Sequence, residues 1–423
     1  MNLQQPFQFF QGNSLSDLFA QDMSNGCNAL ILNYPATASW AAYPNTQKYF
    51  LQDGSSEATK TSFDKICQKE PWKNLAVLGD KLPGIVISPP PASLVRYWQE
   101  YFGFCASQTV KIDCSTYLDT LSQTDQFDRL ITLFPFDHLL PEKHAVDPDM
   151  HYRLLSKVAL SELGVLCPRY QVYHLDQVSL EQIELPSQFP YLIKTSHGLS
   201  GEGTYIIRSV SDLNYCLEEL KKYLKINLLK TIIVSEFVKY EVHNYCVQFY
   251  VNKTGEITLV GVTQQQVNAE GNYLGGVIDY TDEMNRFFPM IAAVGNYAHQ
   301  QGYFGMIGFD VLEDRDGRLY AIDSNFRING STPLCLQRHS LLKLNKTIAK
   351  YSSDYRMEGT LDSILTTLKP NLERKDFLIL SALEKVKYGK IYTEIYGIVT
   401  GETLSEMQQI EQNLHNKGLH LAG

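Results

Sequence analysis

No two of the eight cysteines in this 423-residue chain stand at Cys-x-x-Cys spacing. That excludes the usual zinc knuckle, gives no disulfide frame, and fits reduced thiols in a cytoplasmic compartment. No basic run stands out, and the formal net charge is −9. That argues against a nucleic-acid footprint. The amino-terminal "MNLQQPFQFFQGNSLSDLF" has no basic n-region followed by an apolar stretch, so a secretory signal is not expected. No apolar segment is long enough to span a bilayer, and no membrane partner is expected. Gly-Lys-Ser/Thr is missing where a Walker loop would need it, and neither internal repeats nor low-complexity tracts occur.

What remains is an ordinary globular composition with room for two to four subdomains. The first third reads as α/β. "NALILNYP", "NLAVLGDKLPGIVISPPP" and "DRLITLFPF" each hold a short apolar run ended by Pro or Gly, as buried parallel strands do. "LVRYWQEYFGF" lies between them as a helix. "DPDMHYRLLSKVALSELG" then predicts one long amphipathic helix, with Asp147-Pro148 as its start and Gly164 as its stop. A strand-rich stretch follows, and the tail from about Pro370 reads as a β-β-α-β unit. Its helix carries a capping box, Thr403 with Glu406, and a packing stripe of Leu404, Met407, Ile410 and Leu414.

Three stretches carry chemistry. "KTSHGLSGEG" joins two strand-like runs, and Gly198, Gly201 and Gly203 suggest a backbone that approaches something closely. Headed by Lys194, such a loop could close over phosphate oxygens; taken alone, it reads better as a plain surface hairpin. "IIVSEFVKYE" offers Glu236, Phe237 and Val238 as an acidic acceptor, an apolar wall and a backbone edge, which is what an adenine needs. Glu241 could reach ribose hydroxyls.

The third stretch is "GFDVLEDRDGRLYAIDSNFRING", Gly308 to Gly330. Asp316-Gly317 is a two-residue hairpin signal. With that turn, Val311 faces Ile322, Asp310 faces Asp323, and Gly308 faces Asn325. Facing carboxylates are destabilising, by roughly 3 kcal/mol at about 5 Å and an effective dielectric near 20. A cation offsets such repulsion, and two carboxylates with an amide suit Mg²⁺ that shares its shell with phosphates. Phe309, Val311, Tyr320 and Ile322 form the opposite, core face. Taken alone, the hairpin also fits a solvated polar face.

In order, these motifs resemble one family. Lys157, Lys194 before a glycine loop, Glu236-Phe237-Val238, Glu241, then "GFDVL" and "AIDSNFR" are similar to the ATP-grasp superfamily from about Met150 to Leu336. The resemblance implies an α/β and α+β protein with an ATP-grasp fold. It divides into an N-terminal α/β domain (1–145), a lid subdomain (146–240), a metal and substrate subdomain (241–345) and a small C-terminal α+β extension (346–423).

It implies ATP and Mg²⁺, with Mn²⁺ as an alternative ion. Lys157 and Lys194 would contact the phosphates, and Ser200, Gly201 and Gly203 would form the lid. Glu236, Phe237 and Val238 would hold adenine, and Glu241 the ribose. Asp310, Asp323 and Asn325 would bind metal, and Arg327 would steady the transferred phosphoryl group or acyl-phosphate. The second metal carboxylate is most often Glu in the family; here it is the shorter Asp323.

"FRINGSTP" and the Tyr-x-Gly-Gly segment look closest to carboxylate–amine ligases of the peptide and amino-acid branch, the pheganomycin type. Asn329, Ser331 and Thr332 would then meet an amino acid or small peptide. "TQQQVNAEGNYLGGVIDY" is the expected second closing loop. The implied partners are a carboxylate and an amine, with a carrier protein and a homodimer as further candidates. An ATP-grasp kinase and a nucleotide-binding sensor are the alternative functions.

Overall fold

The computed structural model describes residues 7–35, 48–49, 64–102, 110–112, 121, 123–198, 201, 203–225, 229–268, 271 and 273–421. The first described strand, β1 (Gln8–Phe9), adds in parallel to residues 258–259 of the central sheet. Four parallel strands then build the amino-terminal sheet: β2 (Asn28–Ile31), β3 (Gly84–Val86), β4 (Val110–Ile112) and β5 (Arg129–Thr132), in the order β4-β3-β2-β5. All of β2 and β3 is buried, as expected of strands covered on both faces. The expected strand at "NLAVL" is instead the end of a helix, Glu70–Leu75, and the turn after it; only "GIV" enters the sheet.

The second sheet is antiparallel, in the order β6-β9-β7-β8: β6 (Tyr170–His174), β7 (Tyr191–Thr195), β8 (Thr204–Ile207) and β9 (Thr231–Glu236). The helix Val210–Lys225 lies on it and buries Cys216, Leu220 and Tyr223. The spacing i, i+4, i+7 puts those three on one face.

The central sheet continues through β10 (Tyr240–Val251), β11 (Ile257–Val267), β12 (Tyr273–Asp279), β13 (Gly305–Asp314), β14 (Leu319–Asn325), β15 (Ile348–Glu358), β16 (Phe377–Lys387), β17 (Lys390–Gly401) and β18 (His420–Leu421). Its order is β14-β13-β10-β11-β12-β15-β17-β16. The β-β-α-β tail forms as expected, with the helix Leu404–Asn416 capped by Thr403. Leu404 leaves the packing stripe and is 52% exposed. The tail is not a separate layer, because β17 pairs with β15 and β15 with β12. Among the described residues no helix is long and apolar enough to cross a membrane.

The expected second closing loop is mostly sheet: residues to Val267 extend β11, and Tyr273–Asp279 form β12. Gly275 shows why the Gly-Gly step belongs there. Its φ is 153°, and a Cβ would lie 2.1 Å from the carbonyl oxygen of Tyr351 on the next strand. We expect Gly275→Ala to destabilise the fold by about 3 kcal/mol or more, combining backbone strain with a clash in a packed sheet. Denaturant unfolding checks this, and a variant within 0.5 kcal/mol of wild type, roughly the range of surface substitutions, would contradict it.

Candidate active site

The hairpin β13–β14 sets Gly308 opposite Asn325, Phe309 opposite Ser324, and Asp310 opposite Asp323. That is the expected pairing, but it arises by a different route. Asp314 N–H bonds to Arg318 O at 3.0 Å, so three residues form the turn rather than two, with Gly317 in the left-handed region at φ 74°. The Asp314 carboxylate holds the turn by accepting from the Asp316 and Arg318 backbone. A bulge between Asp310 and Val311 then skips Ile322, so Val311 faces Ala321 rather than Ile322. The two offsets cancel at the carboxylates. The core face is Phe309, Val311, Ala321 and Ser324, while Tyr320 and Ile322 are half-buried.

The skipped residue has a use. Its carbonyl accepts a hydrogen bond from Lys194 Nζ at 3.2 Å, tying the end of β7 to the hairpin. Lys157 arrives from the other side, with Nζ 3.2 Å from Asp323 Oδ2. It does so because the expected long helix is broken. Pro148–Leu154 is α-helical, Ser156 is extended at φ −84° and ψ 131°, and Lys157–Leu163 is a 3-10 turn ending at left-handed Gly164. The Ser156 hydroxyl caps Val158 N–H, and Lys157 N–H bonds to Ser196 O at 2.9 Å. A continuous helix would have used that N–H internally.

Two lysines and two carboxylates therefore share one buried corner. Burial and then repulsion from Asp323 push the Asp310 carboxyl up to about 7; the Cys246 thiol, Arg327 and Gln265 pull it back part of the way. Cys246 sits directly across β10 from Asp310. Burial brings Lys194 down to about 8, with Lys157 adding to the drop while Asp323 and Asp310 oppose it. An ammonium that is so poorly compensated beside a carboxylate that prefers its proton is a site short of both an anion and a cation.

Asn325 Oδ1 accepts from Arg327 at 2.7 Å, and the other arm of the guanidinium donates to Tyr34 Oη at 2.7 Å. Tyr34 follows β2, so Arg327 bridges the amino-terminal sheet and the β13–β14 hairpin. His197 stacks on Tyr152 at 3.9 Å, and its Nε2–H donates to Tyr152 O at 3.0 Å. Burial holds that imidazole down at about 4, so it stays neutral beside the two lysines. Tyr34, His197 and Cys246 were not singled out from the sequence. Only Tyr34 carried a signal: it lies just past the end of a buried parallel strand, where α/β sheets place ligands.

Gly201 and Gly203, at φ 90° and 75°, close the β7–β8 turn, and Thr195 N–H bonds to Gly203 O. Ser200 lies outside the described residues, as does the side chain of Glu241. The Glu236 carboxylate is clamped by Arg169, whose backbone N–H and Nε each donate at 2.9 Å. Phe237 and Val238 follow directly at the strand end, half-buried. Asn329 donates to Arg327 O, and the Ser331 hydroxyl meets Gln248 at 2.8 Å and Thr263 at 3.2 Å. Both are buried, which gives them a job in shaping the loop after Arg327.

Among the described residues no group of three or more His, Cys, Asp or Glu side chains is placed to hold a metal. The facing pair, Asp310 and Asp323, supplies two carboxylates. Two carboxylates and one amide oxygen fit Mg²⁺, which takes the rest of its shell from phosphate and water.

The family model described as "L-aspartate–L-methionine ligase, ATP grasp" matches residues 168–325, from just before β6 to the end of β14. Solved structures agree over more of the chain. An N5-carboxyaminoimidazole ribonucleotide synthetase bound to ADP is 13% identical, with a TM-score of 0.54 over 92% of this chain and 96% of its own. The Staphylococcus aureus N5-carboxyaminoimidazole synthetase with ADP is 11% identical, with a TM-score of 0.52 over 93% and 97%. An L-amino acid ligase from Bacillus licheniformis is 12% identical, with a TM-score of 0.50 over 78% and 95%. The chain has an ATP-grasp fold, and what it resembles includes a family described as an L-aspartate–L-methionine ligase and the structure of an L-amino acid ligase.

Proposed function

We propose that this protein is an ATP-dependent carboxylate–amine ligase that joins amino acids or small peptides, releasing ADP and phosphate. One observation carries the reading. The register that sets Asp310 against Asp323 also brings Lys157, Lys194, Asn325 and Arg327 around them. Lys157 and Lys194 receive the nucleotide phosphates, and the β7–β8 turn closes over them. The strand end at Phe237 and Val238 takes the adenine; with the Glu236 side chain held by Arg169, peptide groups make that contact.

Asp310, Asp323 and Asn325 would hold Mg²⁺, which would supply charge neutralisation at the phosphates. Arg327 is planar and already fixed at both ends, so it meets the carboxylate or phosphoryl oxygens without reorganising. The substrate carboxylate takes the γ-phosphoryl group as the bond to ADP breaks; the neutral amine then attacks the acyl-phosphate carbonyl, forming the C–N bond as phosphate leaves and the amine's proton passes to phosphate or water. A kinase would not need the second substrate, and a sensor would not need the arginine placed beside the metal amide.

An ADP-release screen over paired L-amino acids, with products read by mass spectrometry, tests the proposal. ADP that appears only with a pair, together with a condensed product, is expected; ADP release with one partner alone would favour the kinase. Binding comes first. At a hundred times Kd, Mg²⁺–ATP should stabilise the protein by about 2.7 kcal/mol. A melting temperature unmoved by millimolar Mg²⁺–ATP would overturn the reading.

A further inference from the structure

The loop after Arg327 rests on one side chain that the mechanism above does not use. Gln248 sits inside β10 and is 0% exposed. Its neighbours across the sheet are both glycines, Gly308 on β13 and Gly261 on β11. A Cβ at Gly308 would stand 2.3 Å from Asn329 Nδ2, and one at Gly261 would stand 2.9 Å from Cys335 Sγ. The sheet is bare on both sides of Gln248, so the chain after Arg327 lies directly on it. The space that Gly308 leaves opposite Asn325 is filled by Asn329.

A buried carboxamide is costly unless its polar atoms are bonded, and an apolar side chain would serve packing alone. Here the bonds run in one direction. Asn329 N–H donates to Thr332 Oγ1 at 2.8 Å, which leaves the single proton of that hydroxyl to donate to Gln248 Oε1 at 2.6 Å. The Gln248 Nε2 donates to Ser331 Oγ at 2.8 Å and lies 3.4 Å from Cys335 Sγ. Asn329 Nδ2 donates to Arg327 O at 2.9 Å, and Arg327 N–H donates to Asn325 O at 2.9 Å. A continuous path of hydrogen bonds therefore joins Gln248 to the peptide that carries the guanidinium. The buried hydroxyls of Ser331 and Thr332 are spent on this network.

We propose that Gln248 and Thr332 are positioning residues for the transfer step. They fix the loop after Arg327 and, through it, the place of the guanidinium. The proposal rests on the ligase reading for the role of Arg327 and adds what holds that arginine from the sheet side.

Thr332→Val and Thr332→Ser form the test pair, since valine keeps the shape without the hydroxyl and serine keeps the hydroxyl. Gln248→Met removes the amide at similar length. Rates of single-turnover ADP release are taken per site that binds Mg²⁺–ATP by calorimetry, so unfolded protein does not count. Thr332→Val and Gln248→Met should each be about 10- to 100-fold slower than wild type, the scale of a small misplacement near the reacting atoms. Thr332→Ser should restore the rate to within about threefold, while Kd for ATP and steady-state KM for the amino acids stay within about twofold in all three. In an Arg327→Ala background Gln248→Met should cost less than about twofold more, because both act through one group. In the ligand-free protein, hydrogen exchange of residues 327–332 should quicken in Gln248→Met and Thr332→Val and not in Thr332→Ser.

An undiminished effect of Gln248→Met in the Arg327→Ala background would overturn the proposal, since the amide would then serve the fold and not the arginine. A raised amino-acid KM with unchanged kcat in Thr332→Val would overturn it as well, by making that hydroxyl a substrate contact. So would unchanged exchange at residues 327–332 in both slow variants. Each of these leaves the ligase reading standing. A wild type that binds Mg²⁺–ATP but condenses no amino-acid pair overturns the ligase reading and the transfer role with it, and the exchange comparison still decides whether Gln248 holds the loop.

Discussion

Asp310→Asn should make the ligand-free protein more stable at pH 8 while removing most of its turnover. In the folded chain Asp310 is pushed up to about 7, first by burial and then by Asp323. Its ordinary value in an unfolded chain is near 3.9. A carboxyl raised on folding lends its full stability below the unfolded value and loses it as pH rises through the folded one. Wild-type stability should therefore fall between about pH 4 and pH 7 by this contribution, and asparagine should flatten that slope. The two proteins should melt alike in acid and diverge in favour of the variant at pH 8.

Adding Mg²⁺–ATP should reverse the order, since the charged pair then has a cation to hold. Losing a hard anionic donor removes several kcal/mol of charge stabilisation, or about three orders of magnitude in rate. Asp323→Asn should behave differently without ligand. It also relieves the repulsion, but it strands Lys157, whose side chain is 7% exposed and whose Nζ lies 3.2 Å from that carboxylate. A buried cation deprived of its partner is costly, so this variant should melt below wild type. Melting curves of both variants at pH 5 and pH 8, with and without Mg²⁺–ATP, separate the cases. If Asp310→Asn keeps full turnover and full ligand-induced stabilisation, the facing carboxylates are a surface pair and not a metal site.

The contrast also shows what the sequence could and could not reveal. The pairing of Asp310 with Asp323 was legible from a Gly-containing turn and alternating residues. Yet the turn has three residues and the strand a compensating bulge. A one-residue error at either place would have turned one carboxylate to the other face. The bulge has no local sequence signature, because Ile322 is a good strand residue; what fixes it is a long-range bond from Lys194.

Asp147, Pro148 and Gly164 marked the ends of the segment between β5 and β6 correctly, but the apolar period ran on through Ser156. The break there is stabilised by Ser196, forty residues away, which no window of local pattern contains. The glycines of the segment 263–280 suggested a mobile loop. Gly275 is there because β12 and β15 approach so closely that a side chain would meet the Tyr351 carbonyl. In each case the local element was readable and the contact that shaped it was tertiary.

Lys194 and Arg327 should separate cleanly into binding and turnover. The Lys194 ammonium is buried, is brought down to about 8 by that burial, and donates to the Ile322 carbonyl at 3.2 Å. Replacing it with methionine removes a poorly compensated buried charge but also the bond to Ile322, so the ligand-free protein should lose only about 1 kcal/mol. It should, however, lose the phosphate contact. A charge-assisted hydrogen bond is worth about 1.5–3 kcal/mol, which raises the Kd for ATP by roughly 10- to 100-fold. Arg327 is fixed before any substrate arrives, by Asn325 on one side and Tyr34 on the other, both at 2.7 Å. A donor held in that way acts on charge that develops during transfer more than on charge already present. Arg327→Ala should leave ATP affinity within about threefold and lower kcat by about 10²- to 10³-fold, as loss of one preorganised donor does. Arg327→Lys should not rescue it, because an ammonium cannot reach both anchors while presenting a planar edge. Calorimetric titration with Mg²⁺–ATP and single-turnover ADP release give the two numbers independently. Equal losses of ATP affinity in Lys194→Met and Arg327→Ala would mean that both side chains hold the ground-state nucleotide, and the division of labour drawn from their settings would be wrong.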